Sequence, residues 1–230
     1  MGEDGSNRLM RRIDSFLVGM YRQVPFTYIW LFKRNFDKFI KSRRKTSVLD
    51  IGCGDGSAIE RLNLPRNFEI TGIDIYEPYL KIAKGKKIYK RLIKMDARKI
   101  EVNKKYDIVL ASHILEHLDR AEGERFIKKL EKIAKKRVII AAPIGYFPQD
   151  EYDSNPYQEH KSHWSVDDLR KLGYSISSQG LKIFWGNENI VKKYGVFSYF
   201  LFLISIICTL LLLVKPELGT YMICRKDVEK

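Results

Sequence analysis

Residues 47–56, Ser-Val-Leu-Asp-Ile-Gly-Cys-Gly-Asp-Gly, constrain the fold of this chain more than any other stretch. The apolar run Val48, Leu49 and Ile51 reads as a strand buried on both faces, the habit of a parallel sheet. Glycines at 52, 54 and 56 then let the backbone turn tightly, and an amphipathic stretch through Ala58, Ile59 and Leu62 comes next. A strand, a glycine-rich turn and a helix in that order bring a helix N-terminus close to a ligand. The alternating spacing is neither the dinucleotide pattern G-x-G-x-x-G nor a phosphate loop ending in Gly-Lys-Ser/Thr. Asp50 stands ahead of the glycines, where a carboxylate repels phosphate and can pair with a cationic ligand group.

The segment Asp50-Ile-Gly52-Cys-Gly54-Asp-Gly56 resembles motif I of the class I S-adenosylmethionine-dependent methyltransferases. The resemblance implies S-adenosyl-L-methionine as cofactor, its methionine part wrapped by this loop and its ammonium end near Asp50. It also implies an α/β fold, a Rossmann-like seven-stranded and mostly parallel sheet with helices on both faces. The alternation of strands and helices down the chain agrees. Phe68–Asp74 reads as the second strand, and an acid at its tip accepts hydrogen bonds from ribose hydroxyls in nucleotide folds. Asp74 is therefore the leading cofactor residue, with Ile75 flanking the adenine and ribose. A third strand, about 89–95, ends in Asp96 and Ala97, which the resemblance assigns to the adenine amino group and ring. A fourth, 106–113, ends in Ser112 and His113, which line the cofactor by the same resemblance. With Gly52, Gly54 and Gly56, these complete the expected cofactor set.

The segment just beyond the fourth strand bears on the acceptor. Ile114-Leu-Glu-His-Leu118 resembles the pattern of small-molecule, lipid and sugar methyltransferases, and the D/N-P-P-aromatic signature of base-nitrogen methylation is absent there. Asn155-Pro156-Tyr157 looks like that signature but comes after the fifth strand, 137–143. As residues alone, His113, Glu116 and His117 fall at i, i+3 and i+4, a spacing that would set metal ligands on one helix face. That reading needs a ligand from elsewhere, and no metal is assigned. The long loop 144–163 can overhang the methyl-donor pocket, and loops of this length are usually functional or disordered. It ends in His160-Lys-Ser-His163-Trp164, with Ser165 as N-cap of a helix to Leu172 and Asp168 at its third position. Histidine titrates in the range useful to a base, so His160 and His163 are the candidate catalytic residues at the acceptor. Loop anchoring and helix capping account for the same two residues equally well.

Charge and hydropathy concern partners. A formal charge of +14 favours an anionic partner, and 45% hydrophobic residues indicate a globular chain. Cys53, Cys208 and Cys224 lack C-x-x-C spacing, which argues against a zinc site or disulfide framework. Residues 1–45 read as an N-terminal extension of two basic amphipathic helices, able to cap the cleft, to lie on a membrane or to pack on the sheet. Residues 46–230 form the methyltransferase domain, with a hydrophobic helical insertion at 196–214 before the last strand. The insertion carries no charge and is bracketed by Lys192, Lys193 and Lys215, so by length it passes as a membrane span. One crossing would leave the last strand opposite the sheet it completes. An in-plane or re-entrant docking helix on the cytoplasmic side of a membrane is expected instead, with an oligomer interface as the competing reading. The expected function is a membrane-associated methyltransferase acting on an O or N nucleophile of a small-molecule, lipid-linked or glycan acceptor. The alternatives are an RNA or protein methyltransferase and a cofactor-binding scaffold without turnover.

Overall fold

The computed structural model describes residues 28–101, 103–151, 154–182, 204 and 209–228. The helix read over 9–20 and most of the run 196–214 lie outside the described residues. Seven strands form one sheet: β1 (Thr46–Ile51), β2 (Phe68–Asp74), β3 (Arg91–Lys94), β4 (Tyr106–Ser112), β5 (Ala134–Pro143), β6 (Ser175–Leu181) and β7 (Gly219–Asp227). Their spatial order is β3-β2-β1-β4-β5-β7-β6. The first five run parallel, whereas β7 is antiparallel to β5 and β6. This is the expected seven-stranded, mostly parallel sheet. The order turns outward in both directions from β1 and β4, and such a switch point leaves a crevice at the carboxyl ends of the strands.

Helices cover both faces: α1 (Tyr28–Arg34), α2 (Asp37–Ser42), α3 (Ser57–Leu62), α4 (Glu77–Gly85), α5 (Arg120–Ile133), α6 (Val166–Lys171) and α7 (Thr209–Val214). The period-2 geometry of the strands divides the core. In β4, Val109 and Ala111 join Phe126, Ile127, Leu130 and Ile133 of α5 on one side. Ile108 and Leu110 join Leu31, Phe32, Phe36 and Phe39 on the other. The second basic helix thus turns its apolar side into the core, where Phe36 meets Phe68 edge to face at 6.2 Å. It is two helices rather than one. Asn35 Nδ2 donates to the carbonyls of Leu31 and Phe32, and a side chain competing for helical acceptors favours a break.

Arg137, buried in β5, clamps the two ends of the described chain. Its guanidinium donates to Asp227 of β7 at 2.5 Å and to the carbonyl of Asn35. Ser165 caps α6 in a reciprocal capping box with Asp168, as the spacing predicts. Of the apolar run 196–214, α7 packs Leu212 inward at 2% exposure and leaves Leu211, Leu213 and Val214 exposed at 57%, 56% and 80%. Among the described residues no helix is long and apolar enough to cross a membrane.

Candidate active site

The glycine turn after β1 is fixed from beneath. Gly52 and Cys53 donate their amides to the Ile73 carbonyl of β2, at 2.8 and 3.0 Å. Gly52 has φ +69° and faces Ile114, so an added Cβ would lie 2.8 Å from Ile114 Cδ1. Only glycine holds that conformation without strain in that space. Asp50 belongs to β1 and lies under the turn at 1% exposure, accepting from Tyr89 Oη at 2.7 Å. Burial pushes its pKa up to about 7; the Tyr89 hydrogen bond pulls downward and the charge of Asp74 adds to the rise. Gly56 packs on Tyr89, away from the cleft.

Seven of the expected cofactor residues line one cleft at the carboxyl ends of the strands: Gly52, Gly54, Asp74, Ile75, Asp96, Ala97 and His113. Asp50, Gly56 and Ser112 are not among its lining residues. Asp74 stands where β2 ends, and its two carboxylate oxygens accept from Gly54 N at 2.7 Å and Tyr76 N at 2.8 Å. Burial is the largest influence on this carboxyl and raises its pKa against those hydrogen bonds. Each oxygen keeps a further lone pair for a ligand hydroxyl. Asp96 is held by Arg98, whose side chain donates to both carboxylate oxygens and whose amide donates to Oδ1. That hydrogen bonding keeps the Asp96 carboxyl below its ordinary range. A bare glycine floor, a hydroxyl-accepting carboxylate and the apolar Ile75, Met95 and Leu118 fit a nucleoside-bearing cofactor such as S-adenosylmethionine.

The other side of the cleft is built by long-range contacts. The segment after β4 is not the helix its i, i+3, i+4 spacing implies. His113 takes a left-handed φ of 52°, and a single 3-10 turn comes next at Leu115–His117. Lys161 and Ser162 then donate their amides to the Glu116 carbonyl, at 2.8 and 3.0 Å. Trp164, buried at 1% exposure, anchors that loop. Its Nε1 donates to Ser162 Oγ at 2.9 Å, and Arg120 stacks 3.9 Å above its ring. A Cβ at Gly123 would meet Trp164 Cζ2 at 2.4 Å, so α5 approaches the indole only through glycine.

These clips set His160 against His117, ring centroids 4.9 Å apart, with Phe147 and Tyr221 continuing an aromatic wall to His113. The two candidate catalytic histidines therefore part company. His160 borders the cleft through His117, while His163 is exposed, its ring 6.4 Å from that of Tyr146 and its carbonyl bonded to Arg120. Glu116 is 2% exposed and accepts from His113 Nδ1 at 3.1 Å. Asn155 and Tyr157, set aside in the sequence because they come after β5, fold back to line the cleft, and Tyr76 Oη donates to the Ser154 carbonyl at 3.2 Å. The length of loop 144–163 was the only sequence signal for them. Nothing local marks Phe147 or Tyr221.

Comparison with known proteins agrees with this geometry. A family described as "Methyltransferase domain" matches residues 48–137. A ubiquinone biosynthesis O-methyltransferase of Nitrosomonas europaea is 33% identical over 88 residues, 36% of this chain and 37% of that protein. An uncharacterized methyltransferase of Alkaliphilus oremlandii is 22% identical over 148 residues, 63% of this chain and 68% of that protein. The chain thus spans little more than a third of the first relative's length. Among solved structures, the plantazolicin methyltransferase BpumL in complex with SAH superposes with a TM-score of 0.55 at 18% identity, covering 96% of this chain and 90% of that one. A small RNA methyltransferase gives 0.53 at 17% identity, covering 84% of this chain and 24% of the other. At such identities the structures show a shared fold.

Proposed function

We propose that this chain, which belongs to the class I S-adenosylmethionine-dependent methyltransferases, methylates an oxygen or nitrogen of a small-molecule, lipid-linked or glycan acceptor at a membrane surface. One observation carries the reading: the glycine-floored cleft with Asp74 and Asp96 is also lined by His113 and His117, whose rings meet those of Tyr221 and His160 behind them. The cofactor, when bound, supplies a methyl group on a positively charged sulfur. Asp74 would accept from the ribose hydroxyls, the backbone at Gly52 and Gly54 would leave room for the methionine part, and Ile75 with Ala97 would line the base. His113, His117 and the wall of Phe147 and Tyr221 receive the acceptor and exclude water from it. Catalysis then rests chiefly on holding donor and nucleophile in line, with removal of the acceptor proton secondary. The O-methyltransferase names of the relatives support an oxygen nucleophile.

Membrane docking is supported by Leu211, Leu213, Val214 and Leu218, exposed together beside Lys215, and by the charge of +14. Such a patch suits the cytoplasmic face of an anionic bilayer. The test is incubation with radiolabelled S-adenosylmethionine and a total membrane extract, then fractionation. Label in the lipid or glycan fraction is expected. Label confined to RNA or protein would overturn the acceptor class, and cofactor binding without transfer to any fraction would leave a scaffold.

A further inference from the structure

Glu116 Oε2 is buried and has no hydrogen-bond partner, although its twin Oε1 is held by His113. A buried carboxylate oxygen without a partner is costly and calls for a ligand. The neighbouring histidines are set up to share one. His117 Nδ1 lies 3.0 Å from the Glu159 carbonyl, and His160 Nδ1 lies 2.5 Å from that of Phe147. A carbonyl oxygen can only accept, so each Nδ1 carries the proton and each neutral ring keeps its lone pair on Nε2. Backbone partners hold metal-bound histidines in this tautomer. One ligand atom from each of Glu116, His117 and His160 lies within 4.8 Å of the other two.

We infer that Glu116 Oε2, His117 Nε2 and His160 Nε2 form a binding site for a first-row divalent cation, which holds an oxygen of the methyl acceptor beside the cofactor cleft. Two imidazoles with one carboxylate suit Mn²⁺, Co²⁺ or Zn²⁺ better than Mg²⁺ or Ca²⁺, which prefer all-oxygen shells. An ion about 2.1 Å from each ligand places them roughly 3.0–3.5 Å apart, so binding draws in the three side chains, whose ligand atoms lie within 4.8 Å of one another. Three protein ligands leave coordination positions open on the side where His117 lines the cleft. The site is preassembled: the amides of Lys161 and Ser162 tie the His160 loop to Glu116, and His160 N donates to Gln149 O at 3.0 Å. His113, bonded to Oε1, orients the carboxylate. Sequence spacing offered His113, Glu116 and His117; the fold replaces His113 with His160 as the third ligand.

The metal site stands on its own geometry, and only its role toward the acceptor rests on the methyltransferase reading. The test takes the full chain, freed of metal by a chelator, and titrates it with Co²⁺ while monitoring visible absorption. S-adenosylhomocysteine binding is measured on the same samples by calorimetry. One equivalent of Co²⁺ is expected, with d–d bands that His160→Ala and Glu116→Gln each weaken at least tenfold in affinity. His163→Ala should bind as the parent does. Calorimetric heat retained in the variants shows that they are folded. No stoichiometric Co²⁺ at protein that binds S-adenosylhomocysteine would overturn the site and spare the methyltransferase reading. Equal affinity in parent and variants would also overturn it. Co²⁺ bound through these residues without cofactor binding would sustain the site and remove its role toward a methyl acceptor.

Discussion

Asp50 under the glycine turn and Glu116 under the histidines are almost equally sealed from solvent, at 1% and 2% exposure. Their carboxyls nevertheless move in opposite directions. For Asp50 desolvation dominates, the relief comes from the neutral Tyr89 hydroxyl, and the group rises to about 7. For Glu116 burial also pushes upward, but the hydrogen bond from His113 and the electrostatic influence of the His113 and His117 imidazoles outweigh it and hold the carboxyl below its ordinary range. A single hydroxyl does not offset the loss of water around the Asp50 carboxylate, whereas the two imidazoles beside Glu116 do. One end of the cleft therefore hides an acid close to half-neutral at physiological pH. The other keeps a fixed negative charge.

If the two ends are separately built, damage to one should spare the other. Trp164→Ala removes the anchor of the His160 loop, and a buried Trp-to-Ala change costs about 3–5 kcal/mol of stability. Urea unfolding should show that loss, while calorimetric affinity for S-adenosylhomocysteine in the folded fraction stays within a few-fold. A matching collapse of that affinity would mean the two sides act as one unit. Asp50→Asn probes the opposite end through pH. The folded-state carboxyl, near 7, lies above its unfolded value of 3.8, so its favourable effect is complete below about pH 4 and fades as pH rises to about 7. The asparagine variant should lack this decline, gaining on the parent by about 2–4 kcal/mol between pH 4 and 7 and no further above it. Parallel stability curves across that window would contradict the burial argument. Gly52→Ala forces a Cβ toward Ile114 at a left-handed φ, at a cost of about 1–2 kcal/mol. S-adenosylhomocysteine should bind roughly ten- to thirtyfold more weakly while the Trp164 loop remains protected from proteolysis; unchanged affinity would show that the turn tolerates a side chain.

The same division explains what could be read from the sequence. The strand, glycine turn and helix of 46–62 are local, as are the acids at the ends of β2 and β3, so Gly52, Gly54, Asp74 and Asp96 were legible and meet in one cleft. The capping box at Ser165 is equally local. Burial of Asp50 was not legible, because it depends on Tyr89 folding back from beyond α4. The break at Asn35 escaped a periodicity reading, since apolar spacing continues through it. Choosing His160 over His163 needed the amide contacts from Lys161 and Ser162 to Glu116, which join segments more than forty positions apart and leave no periodic trace.

The place of β7 has a consequence for how the molecule is made. It slots between β5 and β6, so the strand made before it has no partner until Gly219–Asp227 arrives. Until then β5 presents one open flank between Arg137 and Pro143, where amides and carbonyls of alternate residues are unpaired, a template for pairing with other chains. Until β7 is seated, whatever covers that flank decides whether the nascent sheet pairs with itself or with a neighbour.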